Sequence, residues 1–196
     1  QQDAIAPFPS SICNIQYSIE NSKFKRGVQI AYKIYGHTGG LRPSHMKSLS
    51  RLYGRRYTEP GGYSLEQARE IAGLSLELGR QIGLLINRQG RPEMVIVGDR
   101  DRIVIPELGR QRQTSGRLRG LRLIHTHLGT SGLSNEDLMD LVFLRLDSIA
   151  VLTIADSGEP HLFQWAHLLP ASHGKRPYLI SDPLPWDKNR TDFSAQ

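Results

Sequence analysis

Two histidines and an aspartate are the residues of this sequence whose types and spacing most clearly suggest chemistry. His125 and His127 end an apolar run that begins at Leu121, and Asp137 follows after a short loop. Side chains of a strand point to the same side at every second residue, so the two imidazoles face one way. Catalytic zinc sites use three protein ligands and keep a fourth position for water. His125, His127 and Asp137 are therefore candidate zinc ligands.

Catalysis at such a site would also need a carboxylate that accepts a proton from the bound water. Glu77, near the end of a predicted helix, and Glu107, just after a predicted strand, are the candidate bases. Ser134 would complete the catalytic set, because Ser-x-x-Asp places it beside Asp137 in the first turn of a helix. The same pattern is also an ordinary helix N-terminal box, in which the helix dipole favours Asp137. A second interpretation therefore stays open, namely a hydrogen-bonded corner that only holds a strand against a helix.

This spacing resembles that of the JAMM metallohydrolases and the related RadC proteins. Their motif is His-x-His-Pro, a spacer and Ser-x-x-Asp, with a separate glutamate upstream. The sequence departs from it at three places: Leu128 replaces the proline, the spacer after His127 is one residue short, and Gln81 stands near the glutamate position. The resemblance implies a JAMM/RadC-like fold, a bound zinc ion and hydrolysis of peptide or isopeptide bonds.

The elements that would hold these residues follow from hydrophobic periodicity. Alternation predicts a first strand at 28–35, and a helix begins at Pro43. The box Ser64-x-x-Gln67 opens a second helix. Such a chain forms an α/β (α+β) fold in which helices flank a mixed, largely antiparallel sheet, with one parallel crossover at 121–154. The further predicted elements are strands at 82–86, 93–97, 102–105 and 121–125, a helix at 134–146, and strands at 148–154 and 161–166.

One globular domain at 28–170 accounts for these elements. Residues 1–27 are predicted to form a flexible tail, and the proline-rich segment 171–196 a linker. Cys13 is the only cysteine, which excludes an internal disulfide and fits a reducing compartment. No apolar run approaches the length of a membrane span, and the chain has no P-loop motif.

The chain is basic, with a formal net charge of +6 and a pI near 9.7. Arginine pairs with phosphate through two N–H groups, so this charge favours an anionic partner such as RNA. A solvated basic surface is the alternative. No DNA or membrane partner is expected. The candidate RNA-binding residues form two clusters, the first of Arg51, Arg55 and Arg56 and the second of Arg110, Arg112, Arg117, Arg119 and Arg122.

Six blocks of the sequence together resemble the N-terminal extension of the long bacterial form of the HflX family of GTPases. The block at 34–44 reads Ile-Tyr-Gly-His-Thr-Gly-Gly-Leu-Arg-Pro-Ser, and a second one at 118–128 contains both histidines. Asp192 and Phe193 match the start of the usual N-terminal domain of that family. The other blocks are 49–56, 79–86, 95–98 and 140–147.

The HflX resemblance implies a cytoplasmic, ribosome-associated protein that binds GTP and magnesium in a GTPase region downstream of this chain. The chain itself would then be a non-catalytic accessory domain. Its expected role is contact with ribosomal RNA of the large subunit or regulation of the GTPase region in cis. The alternative is the zinc-dependent hydrolase that the His-x-His and Ser-x-x-Asp pattern suggests.

Overall fold

The computed structural model describes residues 33–58, 63–106, 118–170 and 177–186. They belong to one compact unit, Ala31–Gln196. In chain order the elements are β1 (Ile34–Gly36), α1 (Pro43–Tyr53), α2 (Leu65–Leu78), β2 (Ile82–Asn87), β3 (Pro92–Val97), β4 (Leu121–Leu128), α3 (Asn135–Phe143), β5 (Ser148–Ile154), β6 (Pro160–Leu168), β7 (Tyr178–Ile180) and β8 (Leu184–Pro185).

A single mixed sheet contains all eight strands of the described residues. The strand order is β1-β3-β2-β4-β5-β6-β7, and β8 pairs with β6. β1 with β3 and β4 with β5 are parallel pairs, whereas the other pairs are antiparallel. The predicted α/β class, with a mixed and largely antiparallel sheet, is confirmed. The predicted parallel pair is formed by β4 and β5, which α3 connects.

The two faces of the sheet are covered by different helices. Leu49 of α1 and Ile71 of α2 pack with Leu84 and Ile124 in one buried cluster. Leu141 of α3 packs with Leu123 in a second buried cluster. Because alternate residues of β4 point to opposite faces, Ile124 lies under α2 and its neighbours lie under α3. This alternation decides which side chains of β4 can meet α3.

Local sequence signals account for the ends of α2. The Ser64 Oγ accepts a hydrogen bond from the Gln67 amide at 3.3 Å, and the Gln67 Oε1 accepts one from the Ser64 amide at 2.9 Å. Gly79 ends the helix with φ +60°, a left-handed conformation that favours glycine. The predicted capping box is thus confirmed.

The predicted strand at 102–105 is wrong. Both edges of β3 are already occupied, by β1 on one side and by β2 on the other. The segment therefore lies over the sheet, where buried Ile103 fills the space above Gly83, in which a Cβ would overlap it. Hydrophobic periodicity indicates that one side of this segment is buried. It does not indicate whether a neighbouring strand has a free edge for pairing.

Other boundaries also differ from the prediction, most of all at β4, at α3 and after β6. β4 runs on to Leu128, so both histidines lie inside the strand and not at its end. α3 ends at Phe143 and not at 146, because the chain turns at Arg145, whose φ is +54°. Residues 178–185, predicted as part of a linker, form β7 and β8 and pair with β6.

Some predictions fall outside the described residues. They concern the tail at 1–27, the first part of the strand predicted at 28–35, and the segments 171–176 and 187–196 of the predicted linker. Among the residues that the structure describes, no helix is both long enough and apolar enough to cross a membrane.

A buried hydroxyl pair joins α2 to β4 and leads to the first testable prediction. Thr126 Oγ1 lies 2.8 Å from Ser75 Oγ and accepts a hydrogen bond from the Ile82 amide at 2.9 Å. Thr126→Val keeps the shape of the side chain but leaves that buried amide without an acceptor. We expect the free energy of unfolding to fall by about 1–3 kcal/mol, measured by urea denaturation. A change within about 0.3 kcal/mol would contradict this assignment.

Candidate metal centre

The strand β4 and the first turn of α3 bring the three predicted ligands together. Thr126 contacts Ser75 of α2, so the side chains of His125 and His127 point to the opposite face, where α3 lies. Ser134 is the N-cap of α3 and Asp137 is its third residue, which turns the carboxylate back towards the strand. His125 is fully buried, and Asp137 is 7% exposed.

The ligand atoms of this group converge. The His125 Nε2 lies 3.1 Å from Asp137 Oδ1 and 3.0 Å from His127 Nε2, and His127 Nε2 lies 3.5 Å from Asp137 Oδ2. Each residue offers one ligand atom, and these atoms lie within 4.8 Å of one another. His125, His127 and Asp137 are therefore placed to hold a metal ion.

The tautomer of His127 follows from its other nitrogen. His127 Nδ1 lies 3.0 Å from the carbonyl oxygen of Ser131, which can only accept a hydrogen bond, so Nδ1 carries the proton. The Nε2 of His127 then presents a lone pair to His125 and Asp137. A second ring nitrogen that donates to a backbone carbonyl is also how metal-binding histidines are usually held.

Hydrogen bonds from Ser134 hold the Asp137 carboxylate in position. Asp137 Oδ2 accepts from the Ser134 amide and from Ser134 Oγ, both at 2.8 Å. The Oδ1 atom is left to face His125. Burial alone would raise the pKa of Asp137, but the hydrogen bond and charge of His125, followed by the bonds from Ser134, hold that pKa well below its ordinary value. Asp137 therefore stays ionised in the fold.

The electrostatics of the neighbouring groups differ from those of Asp137. Burial, followed by the nearby His125, lowers the pKa of His127. Its imidazole therefore stays neutral to lower pH than in solvent. Burial, followed by the charge of Asp137, raises the pKa of Asp140, one helical turn further along α3. The ligand group and its surroundings thus combine the ionised carboxylate of Asp137, the neutral imidazole of His127 and the carboxyl group of Asp140, which holds its proton more tightly than usual.

A cleft of about 760 Å³ opens beside the ligand group. His127, Ser134 and Asp137 line it on the strand and helix side, and Gln81 and Asp140 lie in its wall. The segment 100–105 forms the opposite wall, where the strand had been predicted. The ligand group is thus reachable from outside, in contrast to a closed structural site.

Glu77, one of the two predicted general bases, does not line this cleft. Glu77 belongs to α2, on the opposite face of the sheet, and its Oε1 lies 3.1 Å from Nε2 of His45. Its side chain is 59% exposed. The prediction that Glu77 serves the ligand group is therefore wrong, because the alternation of the sheet separates the two. Glu107 lies outside the described residues.

The first predicted arginine cluster is partly neutralised. Nη2 of Arg55 lies 3.0 Å from Glu70 and 3.3 Å from Glu66, so its charge is already balanced. Arg51 donates to the Ser48 hydroxyl at 2.9 Å and is exposed. Arg56 is exposed as well. The three arginines therefore do not act as one charged group.

The second predicted cluster is described only in part. Arg119 is exposed, and Arg122 is half-buried, with its Nη2 donating to the Tyr57 carbonyl at 3.2 Å. Burial lowers the pKa of Arg122. Arg110, Arg112 and Arg117 lie outside the described residues.

Sequence reasoning missed a glutamine that supports the ligand group from β6. Gln164 is 9% exposed. Its Oε1 accepts from the Leu133 amide at 2.8 Å, and its Nε2 donates to the Ser181 carbonyl at 3.0 Å. Gly132 lies against the side-chain amide of Gln164, and a Cβ at this position would overlap Gln164 Oε1. No spacing pattern links Gln164 to the histidines, because the contact depends on how the loop before α3 folds back onto β6.

Gln164→Ala is expected to destabilise this loop and the ligand group together. It leaves the Leu133 amide without its acceptor, which costs about 1–3 kcal/mol of unfolding free energy. The loop also holds Ser131, so we expect metal affinity to fall about 10-fold, as for other supporting residues of metal sites. Urea denaturation and calorimetric metal titration measure the two effects. If the variant is destabilised but its metal affinity is unchanged, Gln164 does not support the ligand group.

Comparisons with known proteins leave the family of this chain open. No family model matches the chain, and no curated protein matches it. One similar solved structure is the solution structure of a protein from Salinibacter ruber (strain DSM 13855), a target of the Northeast Structural Genomics Consortium. It is 18% identical, with a TM-score of 0.32, and the match covers 64% of this chain and 89% of that one. A likeness of this degree carries no argument about function.

Proposed function

We propose that this chain is a zinc-binding domain of the JAMM-like type, with His125, His127 and Asp137 as ligands. The observation that carries the proposal is the convergence of one ligand atom from each residue within 4.8 Å, in which His125 Nε2 lies 3.0 Å from His127 Nε2 and 3.1 Å from Asp137 Oδ1. Ligand atoms about 2.1 Å from a tetrahedral zinc ion lie about 3.4 Å apart. Two imidazoles and a carboxylate are also ligands that zinc accepts, and the neighbouring cleft leaves room for a fourth, exchangeable ligand.

The protonation of the group favours a cation at its centre. With the proton of His127 on Nδ1, the three facing atoms share one proton, that of His125 Nε2. The remaining lone pairs of His127 and Asp137 point at the same small space. A divalent ion that displaces the proton from His125 Nε2 would accept a lone pair from each of the three groups at once.

The resemblance to the JAMM metallohydrolases implies a hydrolytic reaction on a peptide or isopeptide bond at this cleft. Zinc in such a site acts as a Lewis acid and lowers the pKa of a water molecule that it binds. Gln81, near the glutamate position of the JAMM motif, lines the cleft but has no carboxylate to accept a proton. Asp140 also lines the cleft, and its raised pKa makes it a better proton acceptor than an ordinary carboxylate. We assign that role to Asp140 in this proposal.

Zinc titration of the full chain tests the proposal. After removal of metal with a chelator, calorimetry is expected to show one zinc ion per chain. His127→Ala should weaken binding at least about 100-fold, since a ligand matters more than the supporting residues worth about 10- to 100-fold. His161→Ala, which removes an exposed histidine of β6, is the matched control and should leave binding unchanged. No zinc binding by the wild-type chain, or equal loss in the control, would contradict the proposal.

The HflX-type accessory role stays a prediction. Its cytoplasmic location, the GTPase region in cis and the ribosomal partner concern residues and molecules that the described structure does not include. Zinc binding by this domain is compatible both with an accessory role beside a GTPase region and with a hydrolase.

A further inference from the structure

Five arginines that lie far apart in the sequence meet at one end of the sheet, around the turn between β2 and β3. We call Arg56, Arg88, Arg91, Arg119 and Arg122 the basic end. The Tyr57 amide donates to the Gly90 carbonyl at 2.8 Å, which joins the segment after α1 to this turn. Arg122 of β4 donates to the Tyr57 carbonyl, next to Arg56. The structure thus joins one member of the first predicted cluster to two of the second.

Two of the five arginines are held in place by the fold. Arg88 Nε lies 2.8 Å from Asp147 Oδ2, and Asp147 Oδ1 accepts from the Gly120 amide at 2.9 Å. The half-buried Arg122 contacts Tyr57, and its buried Nε atom has no hydrogen-bond partner in the described structure. These contacts fix the backbone around Arg119 and the turn, so the basic end is a defined surface.

The charge of the basic end is largely uncompensated. Among the described residues, Asp147 is the carboxylate that forms an ion pair with one of the five arginines. Arg56, Arg91 and Arg119 are exposed, and no acidic group of the described residues lies within ion-pair distance of them. The neighbouring Glu93 accepts instead from the Asn87 side chain at 2.8 Å. Within the described part of the chain, Arg56, Arg91 and Arg119 are thus exposed and form no ion pair, although the charge of Arg119 acts on Asp147.

We propose that the basic end is a docking surface for the phosphate backbone of single-stranded RNA, separate from the ligand group. Guanidinium groups bind phosphate oxygens through paired N–H donors, and several of them on one surface can follow a nucleic acid backbone. The metal cleft lies near the opposite end of β4, beyond His127, whereas Arg122 lies at its beginning. The proposal therefore does not depend on the zinc site.

The shape and composition of the basic end favour single-stranded RNA over other polyanions. The three exposed arginines are presented by turns and connecting segments, with no helix or free β-ribbon that could enter a DNA major groove. Stable attachment to a membrane surface combines such charges with apolar side chains or a lipid anchor. The exposed large hydrophobic residues of the described structure lie elsewhere, at Tyr35, Leu76, Val104, Met139, Phe143, Leu179 and Ile180.

Fluorescence anisotropy with a labelled oligouridine of about 20 nucleotides tests the proposal on the full chain. Binding by the wild-type chain should be measurable at about 50 mM salt and should weaken steeply as salt rises. The variant with Arg56→Gln, Arg91→Gln and Arg119→Gln should bind oligouridine at least about 10-fold more weakly. In a plot of the logarithm of the binding constant against the logarithm of the salt concentration, its slope should be shallower by about 2. The variant with Arg42→Gln, Arg100→Gln and Arg102→Gln has the same net charge and should bind within about 3-fold of wild type.

Three outcomes would overturn the proposal. They are no binding of oligouridine at low salt, equal weakening in both triple variants, and stronger binding to duplex DNA or to anionic vesicles than to oligouridine. Circular dichroism of both variants should match wild type, because the substituted arginines are exposed. Selective loss of oligouridine binding in the first variant supports the proposal.

Discussion

Asp137→Asn is expected to remove most of the zinc binding while leaving helix α3 in place. The asparagine keeps a side-chain oxygen that can accept the hydrogen bonds from Ser134, so the N-cap survives. The negative charge that faces His125 is lost. We expect zinc affinity to fall at least about 100-fold and the metal-free chain to lose about 1–3 kcal/mol of unfolding free energy.

Thermal or urea unfolding with and without zinc measures this effect. At a free zinc concentration about 100 times its dissociation constant, the wild-type chain gains about 2.7 kcal/mol, whereas a variant that binds 100-fold more weakly gains about 0.4 kcal/mol. Asp156→Asn is the matched control, since it makes the same chemical change at an exposed residue between β5 and β6, outside the cleft, and should keep the full gain. Equal gains for wild type and Asp137→Asn would contradict the assignment of Asp137 as a ligand.

Acidification is expected to weaken both the metal-free fold and zinc binding. As the pH falls, the first loss of stability comes from protonation of His127. The folded state holds the pKa of His127 below its ordinary value near 6.5, so the unfolded chain takes up this proton first. The stability that a neutral His127 contributes is therefore complete above about pH 6.5 and is lost as the pH falls through the lowered value. The pKa of Asp137 is lowered too, so its contribution is complete above about pH 4 and is lost in more acidic solution.

Zinc affinity should follow the protonation of His127 in the folded chain. It should be nearly constant from about pH 8 to 6.5 and then fall, approaching about 10-fold per pH unit once His127 binds a proton that zinc must displace. Calorimetric titration across this range measures the curve, and urea denaturation of the metal-free chain measures the stability step. His127→Gln should remove that stability step. A His127→Gln variant with the wild-type pH dependence of stability would show that another group is responsible.

The ligand group could be predicted from the sequence because its parts are local. His125 and His127 share a face through strand periodicity, and Ser134-x-x-Asp137 is a helix start that can be recognised alone. What could not be predicted is the surroundings of the group. Glu77 was chosen by its position near the end of a helix, yet the side of the sheet on which α2 packs excludes it. Gln164 joins the site only through tertiary structure, whereas Asp140 shares a face of α3 with Asp137 through helical periodicity.

The fold was predictable where local signals and burial agree. The Ser64 box and Gly79 define α2, and the apolar runs define β2 to β5. The segment 102–105 has a strand pattern because Ile103 is buried, but pairing depends on a free neighbouring edge. Residues 178–185 carry prolines and look like a linker, yet two short strands within them pair with the open edge of β6. Both differences arise from the order of strands in the sheet, which a single sequence does not encode locally.

X-ray absorption spectroscopy at the zinc edge, on the full chain loaded with one equivalent of zinc, tests the central claim most directly. The account predicts a first shell of nitrogen and oxygen atoms at about 2.0–2.2 Å, with multiple scattering from two imidazoles that drops to one in His127→Ala. A spectrum without imidazole scattering, or one unchanged by His127→Ala, would contradict it.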